Sequence, residues 1–329
     1  MIPTLTAGET LDECVRSLAE QIPRNFELII VDNSGRGLVR GSDAGRLADH
    51  VIENETNVGF GAAINQGFRM SRAPFLATLN DDAVAHPGWL AALLAAAEGD
   101  AAVGMCASQV RLAGAGKLDS AGMLIGADGT SKQRGQGAPA AEFSAREDVL
   151  FPSGSAALFR RKMLDEIGGF DEEFFLYCED TDLGLRGRRA GWRCVYVPEA
   201  VVEHHYSRSA GRASPLKAYY VERNRLFVIA KNFPPGMLPR APLVTVARYF
   251  WHVISILGGR GAAAEFQREG NSPLRLVWLV IRAHLALLGA APRLWKQRRA
   301  IRRGAALSNA EFRDLLRAHS IGIREVATR

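Results

Sequence analysis

The chain reads as an α/β protein, a mixed but mostly parallel sheet flanked by helices, followed by a basic helical extension. Two apolar runs, residues 26–31 (FELIIV) and 75–79 (FLATL), end directly in Asp and Asn, the pattern of strands buried on both faces that stop at a turn. Between such runs lie stretches with helical apolar spacing, and that alternation builds a parallel sheet. Charge then divides the chain. Residues 1–204 hold 19 Lys and Arg against 29 Asp and Glu, whereas residues 205–329 hold 22 against 6.

Each element follows from its residues. Residues 1–5 end a first strand that is short on its N-terminal side, which predicts either a domain beginning mid-strand or Val- and Ile-rich residues upstream. Residues 10–21 form a helix with Leu11, Cys14, Val15 and Leu18 on one face. The strand at 26–31 closes in the turn Asp32-Asn33-Ser34-Gly35. A brief strand at 51–53 leads through Asn57-Val58-Gly59-Phe60-Gly61 into a helix over 62–71. There the glycines let backbone approach a ligand, and the helix N-terminus favours an anion.

The strand at 75–79 ends in Asn80-Asp81-Asp82, and residues 89–98 form an Ala- and Leu-rich helix before a strand at 103–110. Residues 113–148, rich in Gly, Ala, Ser and charge, read as mobile loops above the sheet with short strands near 123–125. After the turn Pro152-Ser153-Gly154 come an apolar run at 156–159 and a helix ending at Gly168-Gly169. A second acidic cluster, Glu179-Asp180-Thr181-Asp182, opens a helix over 182–190. Strands at 193–197 and 200–202 end at Glu203-His204-His205.

With 329 residues, 47% of them hydrophobic, the chain can bury the core of one domain of ~200–250 residues plus an appendage. Cys14, Cys106, Cys178 and Cys194 form no CxxC pair and predict free thiols in a reducing cytosol. A basic segment followed by an apolar one, the mark of a signal peptide, is missing from the first residues. The basic third suits a nucleic acid, a diphosphate-bearing substrate or an anionic membrane surface.

Parallel α/β sheets bind ligands beyond the carboxyl ends of their strands. Asn80, Asp81 and Asp82 fall there. Hard carboxylate oxygens in that place suit Mg2+ or Mn2+, which keeps several waters and takes other oxygens from substrate phosphates. A solvated acidic turn ahead of Pro87-Gly88 is the alternative. Asp32 likewise has two readings, an acceptor for a base or ribose or the cap of its own Asx-turn. Asp182 fits an N-terminal helix acid, and His204 and His205 fit either an exposed pair or metal ligands. Arg223 either reaches a diphosphate or pairs with Glu222, while Trp192 and Phe175 read as core.

In order and spacing, FELIIVDNSG, NVGFGAAINQG, LNDDA, SGSAALFRR, GGFDEEFFLYCEDTDLGLRGRRAGW and VVEHH resemble the motifs of family 2 glycosyltransferases with a GT-A fold. The match is closest to the bacterial rhamnosyltransferase-like branch that builds cell-surface polysaccharides. It covers about residues 1–235 and implies a catalytic domain there, with a nucleotide-sugar half over 1–110 and an acceptor half over 111–235. A helical basic module, membrane-interfacial or acceptor-binding, then spans 236–329. The resemblance implies donor contacts at Thr4, Asp32, Asn57, Gly59, Asn80 and Asp81, and a Mg2+ or Mn2+ ion on Asp82 and His204. It implies a catalytic base at Asp180 beside Glu179. Asn80 departs from the family's DxD pattern, which moves the metal load to Asp82, and His205 replaces His204 if the register slips by one. The implied reaction is inverting transfer of a sugar, L-rhamnose from dTDP-L-rhamnose, to a saccharide or polyprenyl-diphosphate-linked acceptor.

That chemistry needs such parts. A divalent ion neutralises charge on a departing diphosphate, and a carboxylate takes the proton of a weakly nucleophilic alcohol. One base opposite one leaving group gives a single displacement with inversion, without the nucleophilic carboxylate of a retaining hydrolase. A sugar-phosphate nucleotidyltransferase and an inactive membrane-associated GT-A scaffold are the competing readings. The former is disfavoured because no Gly-rich loop with a basic residue for a triphosphate stands near the N-terminus.

Beyond residue 235, residues 243–257 and 274–288 read as apolar helices interrupted by Arg248, His252, Arg275, Arg282 and His284, better suited to an interface than to spanning. Residues 292–303 set Trp295 beside Lys296, Arg298, Arg299, Arg302 and Arg303, as a helix on an anionic bilayer would. Packing on the catalytic domain is the other reading. No nucleic-acid module accompanies the charge, so nucleic acid is not an expected partner. The expected setting is cytoplasmic, peripheral on the inner face of the plasma membrane.

Overall fold

The computed structural model describes residues 1–329 except 23, 206–213, 260 and 329. The first half runs β1 (Ile2–Thr4), α1 (Glu9–Ala19), β2 (Ile29–Asp32), α2 (Asp43–Leu47), β3 (His50–Glu53), α3 (Phe60–Met70), β4 (Phe75–Leu79), β5 (Ala83–Ala85), α4 (Trp89–Glu98) and β6 (Val103–Leu112). Then come β7 (Leu118–Ser120), β8 (Met123–Gly126), β9 (Ser131–Gln133), β10 (Glu147–Asp148), β11 (Ala156–Arg160), α5 (Arg161–Ile167), α6 (Glu179–Arg189) and β12 (Arg193–His204). The chain closes with α7 (Pro215–Asn232), α8 (Ala241–Leu257), α9 (Gly261–Arg268), α10 (Pro273–Arg303), α11 (Asn309–Ala318), β13 (Ser320–Ile321) and α12 (Ile323–Thr328).

Strands β1, β2 and β3 pair in parallel. Met1 joins them to β4, its amine donating to the Ala77 carbonyl at 2.8 Å while Leu79 N–H donates back to the Met1 carbonyl at 3.1 Å. Strand β11 lies antiparallel between β4 and β6, and β12 runs parallel to β6. The sheet is buried on both faces, as its apolar runs require. On β11, Ala157 and Phe159 enter the core beneath α3, α5, α6 and α7, whereas Ala156 and Leu158 enter the core beneath α1 and α4.

Several boundaries move. The apolar run at 26–31 becomes strand only from Ile29, because only Ile29–Asp32 finds parallel partners on β3. Residues 113–148 are not simply loops. They fold as β7, β8 and β9, and Leu118, Asp119, Ser120 and Asp128 are buried. The acidic helix starts at Glu179 rather than 182, and the two closing strands are one strand, β12, irregular between Val197 and Val201. Helix α10 continues through Pro292. A helical proline loses one backbone hydrogen bond, and packing against α7 holds the helix across that gap.

The C-terminal residues pack into the rest of the fold. Arg298 donates to the carbonyls of Ala230 and Phe233 at the end of α7, at 3.0 and 2.7 Å, and β13 adds in parallel to β8. Under α8, the buried Arg248 pairs with Asp128 at 2.6 Å and with Glu222 at 2.7 Å, and Glu222 also holds the fully buried Arg225. The outward faces of α8 and α10 are apolar. Leu243, Val246, Phe250 and Val253 on one, and Leu274, Val277, Trp278, Ile281, Leu285 and Leu288 on the other, are all exposed. Among the described residues α10 is the one helix long and apolar enough to cross a membrane.

Candidate active site

Two acidic corners form at the carboxyl edge of the sheet. The first follows β4. Asn80 N–H donates to the Ser155 carbonyl at 2.8 Å, and Asp81 accepts from the Thr4 hydroxyl at 2.6 Å. Strand β5 starts right after Asp82 and runs antiparallel to β12, pairing Ala83 with His204. That register brings His204 Nε2 to 3.1 Å from Asp82 Oδ1, while His204 Nδ1 meets Asp119 Oδ2 at 3.0 Å. Burial works against the His204 cation, but the hydrogen bonds to Asp119 and Asp82 outweigh it and raise its pKa to about 9. Asp82 is held below the ordinary carboxylate range because its bond to His204 overcomes burial, whereas burial and the neighbouring Asp82 push Asp81 up. His205 donates its backbone N–H to the Asp82 carbonyl at 3.0 Å, whereas it is the His204 ring that hydrogen-bonds the Asp82 carboxylate.

This corner fits a hard divalent cation. Asp82 offers carboxylate oxygen, and His204 offers an imidazole whose ring is set by a carboxylate behind it, the arrangement that orients metal-binding histidines. Asp119 Oδ1 is buried without a hydrogen-bond partner. Among the described residues no three His, Cys, Asp or Glu side chains close into a metal cage. An ion bound by two protein groups with waters and phosphate oxygens is how Mg2+ and Mn2+ sit on nucleotide substrates.

The second corner is the start of α6. Glu179 is buried, with Oε2 lacking a partner, and burial next to Asp180 raises its pKa to about 8. Asp180 is half-buried. It accepts from the N–H of Gly154 at 3.1 Å and of Thr181 at 2.6 Å, bonds that oppose the upward push of its burial. Between the corners lies the turn at 153–155. Thr78 of β4 donates to the Gly154 carbonyl at 2.9 Å, while Gly154 N–H donates to Asp180. A Cβ on Gly154 would stand 3.3 Å from the Phe60 ring and 3.5 Å from Asp180, so a small residue keeps the turn seated.

Other expected residues build walls. Asn57 Oδ1 accepts from Gly59 N–H at 2.9 Å, and Gly59 has φ +88° with the Phe175 carbonyl only 2.3 Å from where a Cβ would stand. Asp32 Oδ1 accepts from Ser34 N–H at 2.8 Å, the bond of the Asx-turn alternative, and Oδ2 accepts from Val39 N–H at 3.0 Å, seven residues on. Asp182 is fully buried between Arg186 at 2.8 Å and Lys231 at 2.9 Å. Arg223 does not pair with Glu222. Glu222 belongs to Arg225 and Arg248, and Arg223 instead donates to the carbonyls of Glu173 and Phe174 at 2.7 and 3.0 Å. Sequence reading missed Asp119 and the part played by the turn at 153–155. Asp119 sits in the short run Leu118-Asp119-Ser120, where no spacing distinguishes it from a surface acid.

A mixed sheet covered by helices on both faces, with acids along its carboxyl edge, is the arrangement of the GT-A glycosyltransferases. A mannosyltransferase from Pyrobaculum calidifontis, solved with GDP-Man and Mn2+, superposes with a TM-score of 0.52 at 18% identity, over 94% of this chain and 85% of its own. GalNAc-T7, solved with UDP, GalNAc and Mn2+, gives 0.57 at 16% identity, over 74% and 49%. Residues 1–226 match the model of the glycosyltransferase like family 2, and the chain belongs to that family. It is 53% identical over 70 residues to the N-acetylglucosaminyl-diphospho-decaprenol L-rhamnosyltransferase of Mycobacterium tuberculosis, and 42% identical over 67 residues to the rhamnosyltransferase WbbL of Escherichia coli. Those segments span 21% and 20% of this chain and 23% and 25% of the two relatives. A pre-mycofactocin glycosyltransferase of M. tuberculosis is 25% identical over 295 residues, 86% of this chain and 60% of the relative.

Proposed function

We propose that this glycosyltransferase moves L-rhamnose from dTDP-L-rhamnose, with inversion, to a hydroxyl of a polyprenyl-diphosphate-linked saccharide in cell-surface polysaccharide synthesis. The observation that carries the reading is the pairing of Asp82 with His204 on one side of the turn at 153–155 and Asp180 on the other. The sugar and the lipid-linked acceptor rest on the name of the rhamnosyltransferase that shares the 70-residue segment.

Asp82 and His204 would hold Mg2+ or Mn2+, and a bound ion supplies charge neutralisation for the departing diphosphate. The Thr4 hydroxyl keeps Asp81 turned toward the sheet, and Asn80 is tied by its backbone to Ser155, so the first corner is rigid before a donor arrives. Asn57 and Gly59 shape a loop whose backbone can lie close to the donor, and Asp32 holds the wall beside it. Asp180 is the base. It is the more exposed of the two acids, and it takes the proton of the acceptor hydroxyl as that oxygen attacks the anomeric carbon. The bond from that carbon to the diphosphate breaks, and the nucleoside diphosphate leaves with the electron pair. Glu179, protonated up to about pH 8, lends Asp180 no second charge.

The acceptor reading places the chain on the cytoplasmic leaflet, and α8 and α10 supply a surface for it. Neither helix contains an acidic residue. On α10 the apolar stripe from Leu274 to Leu288 continues on the same face as exposed Trp295, Lys296, Arg299 and Arg303, while Leu279, Ala283, Leu294 and Arg298 face the protein. With one face committed to α7, α10 lies along an anionic bilayer rather than crossing it.

The test is calorimetric titration with dTDP-L-rhamnose, UDP-sugars and GDP-mannose, with Mn2+, with Mg2+ and with EDTA, followed by transfer to a polyprenyl-diphosphate N-acetylglucosamine acceptor. Metal-dependent binding of dTDP-L-rhamnose and release of dTDP are expected. Binding of another donor alone would replace the sugar, and pyrophosphate release from a nucleoside triphosphate and a sugar phosphate would replace the reaction.

A further inference from the structure

Directly before the catalytic acids the backbone turns left-handed at three residues that are not glycine. Phe175, Tyr177 and Cys178 have φ of 62°, 67° and 65°. An L-residue in that region brings its Cβ against a carbonyl oxygen, so the segment holds only if its surroundings enforce it. Cys178 is also the N-cap of α6, and its side chain makes no capping bond. The helix that presents Glu179 and Asp180 is therefore positioned by the segment before it, not by a cap.

The enforcing group is one buried amide on another element. Asn224 of α7 is fully buried, and its Nδ2 donates to the carbonyls of Phe174, Leu176 and Tyr177 at 2.8, 2.9 and 2.7 Å. Its Oδ1 accepts from Arg223 Nε at 2.8 Å, which sets the amide with its nitrogen toward those carbonyls. The Arg223 guanidinium also takes the carbonyls of Glu173 and Phe174. On its other side the segment meets the donor loop, where Phe60 N–H donates to the Phe175 carbonyl at 2.9 Å and Gly59 packs against the same oxygen. The three residues therefore join the donor loop to the acids.

We propose that Asn224 is a positioning residue for the reaction. By clamping the left-handed segment 175–178 it sets Asp180 against the donor loop, with Arg223 holding the clamp in register. The inference rests on the reading of Asp180 as base, and its test separates the two.

The experiment compares full-length wild type, Asn224→Asp, Asn224→Ala, Arg223→Lys and Asp180→Asn. Asn224→Asp keeps the shape but points a carboxylate oxygen at three carbonyls. Hydrogen exchange, which needs no substrate, is expected to rise at amides 174–181 in both Asn224 variants and stay at wild-type rates in the β-sheet. With dTDP-L-rhamnose and the lipid-linked acceptor, kcat is expected to fall roughly 100-fold while donor KM stays within about threefold, since a misplacement of ~1 Å at a catalytic group has that effect. Arg223→Lys is expected to give the same split at about a tenth of the size and decides the matter if the Asn224 variants do not fold. Unchanged exchange at 174–181, or wild-type kcat in a folded variant beside an inactive Asp180→Asn, overturns the clamp. An active Asp180→Asn instead overturns the base, and the exchange arm still reads the clamp.

Discussion

His204 Nδ1 lies 3.0 Å from Asp119 Oδ2, a carboxylate on β7 that turns the imidazole so that Nε2 faces Asp82. Asp119→Asn should weaken Mn2+-dependent donor binding by about 10- to 100-fold, the usual effect of removing a carboxylate behind a metal-binding histidine. Asp82→Ala should remove the metal dependence altogether. Calorimetry with and without EDTA measures both, and wild-type affinity in Asp119→Asn would take the orienting role away from Asp119.

Glu179 and Asp180, the first two acids of α6, should respond differently to neutralisation. Asp180→Asn is expected to lower kcat by about 10²–10⁴-fold with donor binding retained, the range of a lost general base. Glu179→Gln should keep most activity near neutral pH, because burial beside Asp180 already keeps Glu179 protonated up to about pH 8. Its pKa is raised on folding, so its favourable contribution is complete below the ordinary carboxylate pKa and disappears as pH rises through about 8. Wild type should therefore lose stability relative to Glu179→Gln across that window in urea unfolding. The opposite ranking of the two variants in kcat would move the base to Glu179.

Asp182 carries the opposite sign. Burial opposes its charge, yet Lys231 and Arg186 hold its pKa down at about 2. Its contribution is present above the ordinary carboxylate pKa and is lost as pH falls toward 2. Asp182→Asn should cost about 3 kcal/mol at pH 7, since it leaves a buried cation short of a partner. Denaturant midpoints below pH 4 should converge for wild type and variant, and parallel pH profiles would contradict the pairing.

The apolar faces of α8 and α10 make a prediction that leaves the active site untouched. Replacing Trp278 and Leu285 with Glu should reduce binding to phosphatidylglycerol vesicles at least about tenfold, given ~1.5–3 kcal/mol for each large side chain buried. Transfer to a water-soluble acceptor should stay unchanged. Flotation measures the first, and equal flotation of wild type and variant would rule out this face as the docking surface.

The strands and helices were legible where one segment's own pattern decided them. The run at 75–79 and the helix over 89–98 appear at those same boundaries, because their burial is written as local periodicity. Asp82 and His204 could be named through the family motifs they stand in, although 122 positions separate them. The parts played by Asp119, the turn at 153–155 and Asn224 were not legible. Each acts through a contact with a segment far along the chain, and a lone Asp in a short strand or a lone Asn in a helix has no local pattern to mark it.

The amino-acid sequence by itself determined the class of fold, the glycosyltransferase family, the two acidic corners and the basic, apolar character of the last hundred or so residues. These follow from hydrophobic period, charge and motif order, which are properties of neighbouring residues. Only the tertiary structure decided that the Asp32 oxygens accept from Ser34 and Val39 N–H, that Arg223 braces a left-handed segment, and that α8 and α10 bury one face while leaving an apolar one outside. Those outcomes depend on which carbonyls and charges long-range packing leaves without partners. A buried polar group takes the partner that geometry brings within about 3 Å, and that choice is made after the chain has folded.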